Sequence, residues 1–134
     1  MAQILNNYEM LLIAHQTAND EALTASFDNL TAAITDAGGS MLSRDDWGRV
    51  RMAYPINKQR VAKYFLLEYV APSSVPLELE RLVRFDDKTF LRFLTVRLGE
   101  NVSDLDGLKE AAEARKTKRQ EQVAAMKQEK RDRR

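Results

Sequence analysis

The stretch "YEMLLIAHQTANDEALTASFDNLTAAITDAGG", Tyr8 to Gly39, changes structural period partway along, and that change decides the fold. Its first nine residues, Tyr8 to Gln16, are nearly continuous apolar and rich in strand formers. A short run of that kind suits a central β-strand covered on both faces. Leu23, Phe27, Leu30, Ile34 and Ala37 then recur at spacings of 4, 3, 4 and 3, which sets them along one face of an α-helix. Thr17, with Asp20 three residues on, resembles a capping box, and Gly38-Gly39 offers the left-handed conformation that ends helices.

The same grammar repeats further along. From Ser40 to Ile56 the period is two: Val50, Met52, Tyr54 and Ile56 share one face, and Arg49, Arg51 and Ala53 share the other. The expectation is an apolar face against the core and an arginine face outward. Gly48 suggests a bulge or bend, and Pro55, which cannot donate to a ladder, places the strand at an edge or near its end. After the polar turn "NKQR", the run Val61 to Val70 is a second strand apolar on both faces. "APSSVP" breaks it, with Ser74 as the expected cap and Pro76 in the first turn of a helix striped by Val75, Leu79, Leu82 and Val83. Thr89 to Leu98 is a last strand, with Arg92 and Arg97 among its apolar residues.

The order β-α-β-β-α-β predicts a ferredoxin-like α+β domain over residues 1–100. Its four-stranded antiparallel sheet has the strands around Leu12 and Leu66 at its centre, and both helices lie on one face. The other face is expected to be open. Residues 101–134 form a charged extension without aromatics or a sustained apolar stripe. Such a segment is disordered alone or becomes a helix on a partner, and it is expected to extend away from the domain.

Charge is divided along the chain. Residues 1–107 hold 11 Lys/Arg and 15 Asp/Glu, a balance of −4, whereas residues 108–134 hold 10 and 5, a balance of +5. The basic end suits a polyanion, and equally a solvated helix. In the extension, Arg115, Lys116, Lys118 and Arg119 make one candidate cluster of RNA contacts, and Lys127, Lys130, Arg131, Arg133 and Arg134 make another. In the domain, Arg49 and Arg51 stand two apart on a strand, about 6.6–6.8 Å, close to the phosphate repeat of a nucleic-acid strand. The same pair also suits an ordinary solvated sheet face.

Catalysis finds little support. There is no cysteine, so disulfides, thiol nucleophiles and thiolate metal sites are excluded, which fits a reducing compartment. The single histidine, His15, stands at a strand end, where a histidine is far more often a polar strand-end residue than a base, and no serine nucleophile with an orienting group can be assigned. No metal-ligand or phosphate-loop spacing occurs, so no cofactor is expected. Asp45-Asp46 and Asp86-Asp87 read as turn residues. The N-terminus has no signal-peptide pattern, and no apolar run approaches the roughly 20 residues of a membrane span. A small-molecule-sensing domain on the same fold calls for a Gly-rich loop after the first strand, and an acylphosphatase-like enzyme calls for an anion-cradling loop there. "AHQTAND" supplies neither.

Three segments carry a family resemblance. "GRVRMAYPINK", Gly48 to Lys58, resembles the signature of small-subunit ribosomal protein six of the bacterial type. "NYEMLLI" resembles that family's opening strand, with its Tyr-Glu pair at Tyr8 and Glu9. "RFDDKTFLRFLTVR" resembles its fourth-strand region, in which Asp87 and Arg92 recur. The likeness spans about residues 7–98. It departs at Val50, where a basic residue is common, and at Met52, where Leu is usual. The resemblance implies a ferredoxin-like fold without catalysis and assembly into the small ribosomal subunit. It also implies pairing with small-subunit ribosomal protein eighteen and joint binding to the central domain of small-subunit rRNA, among other ribosomal proteins. Arg49, Arg51, Lys58, Arg92 and Arg97 are then the expected RNA or partner contacts.

Overall fold

The computed structural model describes residues 4–56, 59–86 and 88–132, and for 52–54, 56, 59 and 126–132 the backbone alone. The elements run β1 (Asn6–His15), α1 (Asp20–Asp36), β2 (Ser40–Ile56), β3 (Gln59–Ala71), α2 (Val75–Phe85), β4 (Phe90–Gly99) and α3 (Leu105–Asp132). The sheet order is β2-β3-β1-β4, with every pairing antiparallel. The two strands apolar on both faces, β1 and β3, are thus the central pair, as their sequence implies.

Helix α1 starts later than the capping-box reading suggests. Asn19 is its N-cap, accepting from the Ala22 N–H at 2.7 Å, while Thr17 lies in the turn after β1. Asp20 and Glu21 then sit in the first turn, where negative charge suits the helix dipole. At its other end the Gly39 N–H reaches the Ile34 carbonyl and the Gly38 N–H the Thr35 carbonyl, a Schellman closure with Gly38 at φ 91°. Gly39 is required for a second reason, because a Cβ there would stand 2.3 Å from the Val70 carbonyl oxygen. In α2, Ser74 holds the cap position but its side chain makes no capping bond.

Sixteen buried residues form the main core between the sheet and α1/α2. Tyr8, Met10, Leu12 and Ala14 come from β1, and Phe65, Leu67, Tyr69 and Ala71 from β3. Leu23, Phe27, Leu30 and Ile34 of α1 and Val75, Leu79 and Val83 of α2 close it, with Leu82 packed at the margin. The helical spacing of those residues is therefore the spacing of the buried stripe. Ser26 of α1 donates to the Asp86 carboxylate just past α2, tying the two helices together at one end.

The opposite face departs from expectation: it is half covered. After β4 the chain turns through 100–104, where Val102 N–H donates to the Leu5 carbonyl at 2.8 Å. Asp104 caps α3 through a 3.0 Å bond from the Gly107 N–H. The helix then lies back over the sheet, packing Leu108 and Ala112 against Leu42 and Val70. The extension is docked on the domain along its first half, where the sequence reading has it leaving the body. Its apolar stripe is short, and charged residues continue it.

Candidate nucleic-acid interface

Strands β2 and β3 stay paired beyond the end of β1. The last β1–β3 pair is His15 with Ala62, but β2 and β3 continue through Arg51 opposite Val61 to Ile56 opposite Gln59. The result is a two-stranded arm overhanging one corner of the sheet. At its base β2 slips register at Gly48, which has φ 71° and donates its N–H to Asp46 Oδ1 at 2.7 Å. This is the bulge that Gly48 suggests, and it leaves Trp47 as the extra residue. The Trp47 ring stacks on Tyr64 at 6.2 Å and donates its N–H to Asp45.

The register decides where the arginines point. Arg49 is opposite Lys63 and Arg51 opposite Val61, so both share a face with Phe65 and Leu67, the α1/α2 side. Val50, opposite Ala62, faces the α3 side. The expectation of an outward arginine face and an inward apolar one is thus reversed in direction at these residues. Both arginines are nonetheless exposed, and Arg49 lines an open cleft beside Asp20 and Leu23 of the first turn of α1. The side chains of Met52, Tyr54 and Ile56, and all of Lys58, lie outside the described residues.

Arg49 and Lys63 are like charges placed directly across the ladder, a pairing that weakens a sheet. Lys63 turns its ammonium to the Ala18 carbonyl at 2.7 Å. Arg49, Arg51 and the exposed Arg60 have no carboxylate partner among the described residues. Arg60 and Lys63 join this basic corner although neither was singled out from the sequence. Their signal was available in the turn "NKQR" and in the antiparallel register, but the register needs the loop length to be known.

The other expected contacts divide. Arg92 is exposed on the α3-side face of β4, opposite Ile13, whereas Arg97 is opposite Tyr8 on the α1/α2 side and pairs with Glu100 at 2.7 Å. Two strands lie between β4 and β2, so neither residue joins the corner around Arg49. In α3, Arg115 grips Glu68 with two parallel bonds, from Nε at 3.1 Å and from Nη2. That bond and the nearby Glu9 hold its guanidinium pKa above the ordinary arginine value against partial burial. Arg119 Nε and Gln120 Nε2 each reach Asp45 at 3.2 Å. Arg115 and Arg119 are therefore occupied inside the molecule. Lys116 and Lys118 have no carboxylate partner among the described residues, and the side chains of Lys127, Lys130 and Arg131 lie outside them. Asp45, read as a turn residue, is a fully buried strand residue receiving three donors.

Among the described residues no group of three His, Cys, Asp or Glu could hold a metal, and no helix is long and apolar enough to cross a membrane. A four-stranded antiparallel sheet with two helices on one face defines a ferredoxin-like α+β domain, here carrying a basic ribbon at one corner. The family profile described as ribosomal protein S6 matches residues 7–97, and the chain belongs to that family. It is 37% identical over 99 residues to small ribosomal subunit protein bS6 of Moorella thermoacetica, covering 74% of this chain and 100% of that one. It is 35% identical over 101 residues to the bS6 of Nitratidesulfovibrio vulgaris strain DP4, covering 75% and 99%. The crystal structure of 30S ribosomal protein S6 from Thermotoga maritima superposes with a TM-score of 0.63 at 20% identity, covering 83% of this chain and 98% of that one. That likeness carries the fold. The family match ends before α3 begins.

Proposed function

We propose that this chain is a structural component of the small ribosomal subunit, working in the cytoplasm as part of the ribosome and without catalysis. It binds the central domain of small-subunit rRNA jointly with small-subunit ribosomal protein eighteen. The observation that carries the reading is the family match over the whole two-layer domain, residues 7–97, with the basic ribbon inside it. The electrostatics support a shared interface. Residues 1–107 are net acidic, so the domain alone lacks the broad positive field of an independent RNA binder. Three cations without a carboxylate partner among the described residues, Arg49, Arg51 and Arg60, instead gather at one corner, where they can meet phosphates while a partner supplies the remaining charge.

The test is RNA binding with and without the partner. The chain alone binds a transcribed central-domain fragment weakly, and adding the partner protein tightens binding by orders of magnitude. Arg49→Ala and Arg51→Ala each weaken the joint complex and flatten its salt dependence by about 0.7–0.9 per lost phosphate contact. Equally tight binding by the isolated chain would sink the shared-interface reading.

A further inference from the structure

Two carboxylates have no exposed surface on the sheet face away from α1 and α2: Glu68 of β3 and Asp45 of β2. Each is met from above by α3, Glu68 by Arg115 and Asp45 by Arg119 and Gln120. The order of the contacts sets a direction. Ala112 rests beside Leu42 and Val70, Arg115 reaches Glu68 opposite Ser43, and Arg119 reaches Asp45. From Ala112 to Arg119 the helix rises about 10.5 Å, and from Leu42 to Asp45 the strand advances about 10 Å. Helix and strand therefore travel side by side in the same direction.

That direction leads to the basic corner. Beyond Arg119, α3 continues to Asp132, another stretch of about 20 Å. Strand β2 covers the same distance in about six residues, from Asp45 to Arg51. The distal half of α3 thus runs alongside the arm, on the ribbon face opposite Arg49 and Arg51. From Lys116 to Asp132 it carries six basic and three acidic residues. An apolar seam would hold a helix down more cheaply than two ion pairs to fully buried carboxylates, whose desolvation offsets most of the attraction. What the Arg115–Glu68 pair adds is orientation, since its forked guanidinium accepts few geometries, and the Arg119 and Gln120 contacts to Asp45 fix a second point along the helix.

We infer that Glu68 and Asp45 aim α3, so that its distal half and the β2–β3 arm grip RNA phosphates from two sides of one ribbon. The inference rests on the rRNA reading above. It gives Arg115 and Arg119 positioning roles and leaves the phosphate contacts to Lys116, Lys118 and the helix beyond. It also makes a prediction contrary to simple charge counting. Replacing both carboxylates by amides (Glu68→Gln with Asp45→Asn) removes two negative charges and frees two arginines, which by charge alone would tighten RNA binding.

The experiment uses the full chain with its partner protein and a transcribed central-domain rRNA fragment, over a series of salt concentrations. Amide exchange across 105–120 reports whether α3 is docked. The expected result for the double amide variant is a released α3, weaker binding and a salt slope flatter by about 1–2. Binding as tight as wild type, or tighter, with α3 released overturns the inference. Lys116→Ala with Lys118→Ala tests the same idea on a chain whose ion pairs to Glu68 and Asp45 are untouched. It is expected to weaken binding while α3 stays docked, and unchanged binding overturns the inference. Arg115→Lys, which keeps the charge and loses the fork, should fall between wild type and the amide variant in both docking and affinity. A wild-type chain that fails to bind this RNA with its partner would instead overturn the rRNA reading itself.

Discussion

The two faces of the sheet are held by different physics. On one, sixteen buried residues from three strands and two helices make an apolar core in which no single contact decides the arrangement. On the other, one helix lies on a seam of three buried residues, Leu42, Val70 and Ala112, and is fixed by two ion pairs to buried carboxylates. Apolar burial is non-directional and scales with area, so the first face supplies cohesion. Ion pairs to buried groups add little net stability but have strict geometry, so the second face supplies direction. A covering helix can therefore be secure in its angle while contributing modestly to the fold.

The comparison breaks most visibly in the core. Leu12→Ala, at a fully buried site on the central strand, should lower the unfolding free energy by about 2–5 kcal/mol in denaturant titration. A loss below about 1 kcal/mol would mean that this face is loosely packed. Removing the helix should cost less. A chain ending at residue 104 should keep a cooperative unfolding transition and lose about 1–3 kcal/mol, because Asp45 and Glu68 become free to hydrate. Arg115→Ala should cost no more than that truncation, since undocking of α3 caps the penalty. A larger loss for the single substitution would show that α3 is integral to the domain.

A smaller effect sharpens the first face. The Tyr69 hydroxyl is buried without a hydrogen-bond partner among the described residues, and burial, then Tyr8, pushes its phenol above the usual range. Tyr69→Phe removes an unsatisfied polar group, so a gain of about 1 kcal/mol is expected at neutral pH. The pH dependence has a definite sign. The folded-state pKa is raised, so this residue's contribution is complete below the unfolded value near 10 and is lost as pH climbs beyond it. Stability should fall less steeply above that pH in the variant, and identical slopes would count against the assignment. The smallest effect belongs to the exposed Arg81–Glu78 pair on α2, at 2.7 Å. Arg81→Ala should leave the melting temperature unchanged within error, because exposed pairs contribute little.

Much of the first face was legible in the residues. Leu23, Phe27, Leu30 and Ile34 announce α1 by spacing, and all four are buried as that spacing demands. Gly48 announced its bulge, and the continuous apolar runs of β1 and β3 announced the central pair. The candidate site was legible as a list of cations and not as an arrangement. Arg49 and Arg51 could be given a common face, but which face depended on the slip at Gly48 and the pairing of Arg49 with Lys63. Asp45 looked like a turn residue because adjacent carboxylates favour turns, and nothing local marks one as the buried anchor of a helix 74 positions away.

The sequence by itself determined the element order, the helix-facing core and the family, because periodicity and signature residues are properties of neighbours along the chain. The tertiary structure decided that α3 folds back, that Arg115 and Arg119 are occupied, and which side of the ribbon Arg49 and Arg51 present. Leu108, Ala112, Arg115 and Arg119 do follow 4-3-4 spacing, but half of that stripe is charged and scores as solvent-facing. A guanidinium becomes a buried-side contact only when a carboxylate waits beneath it, and that carboxylate comes from a strand distant in sequence. Complementary charge across such a distance has no local period to read.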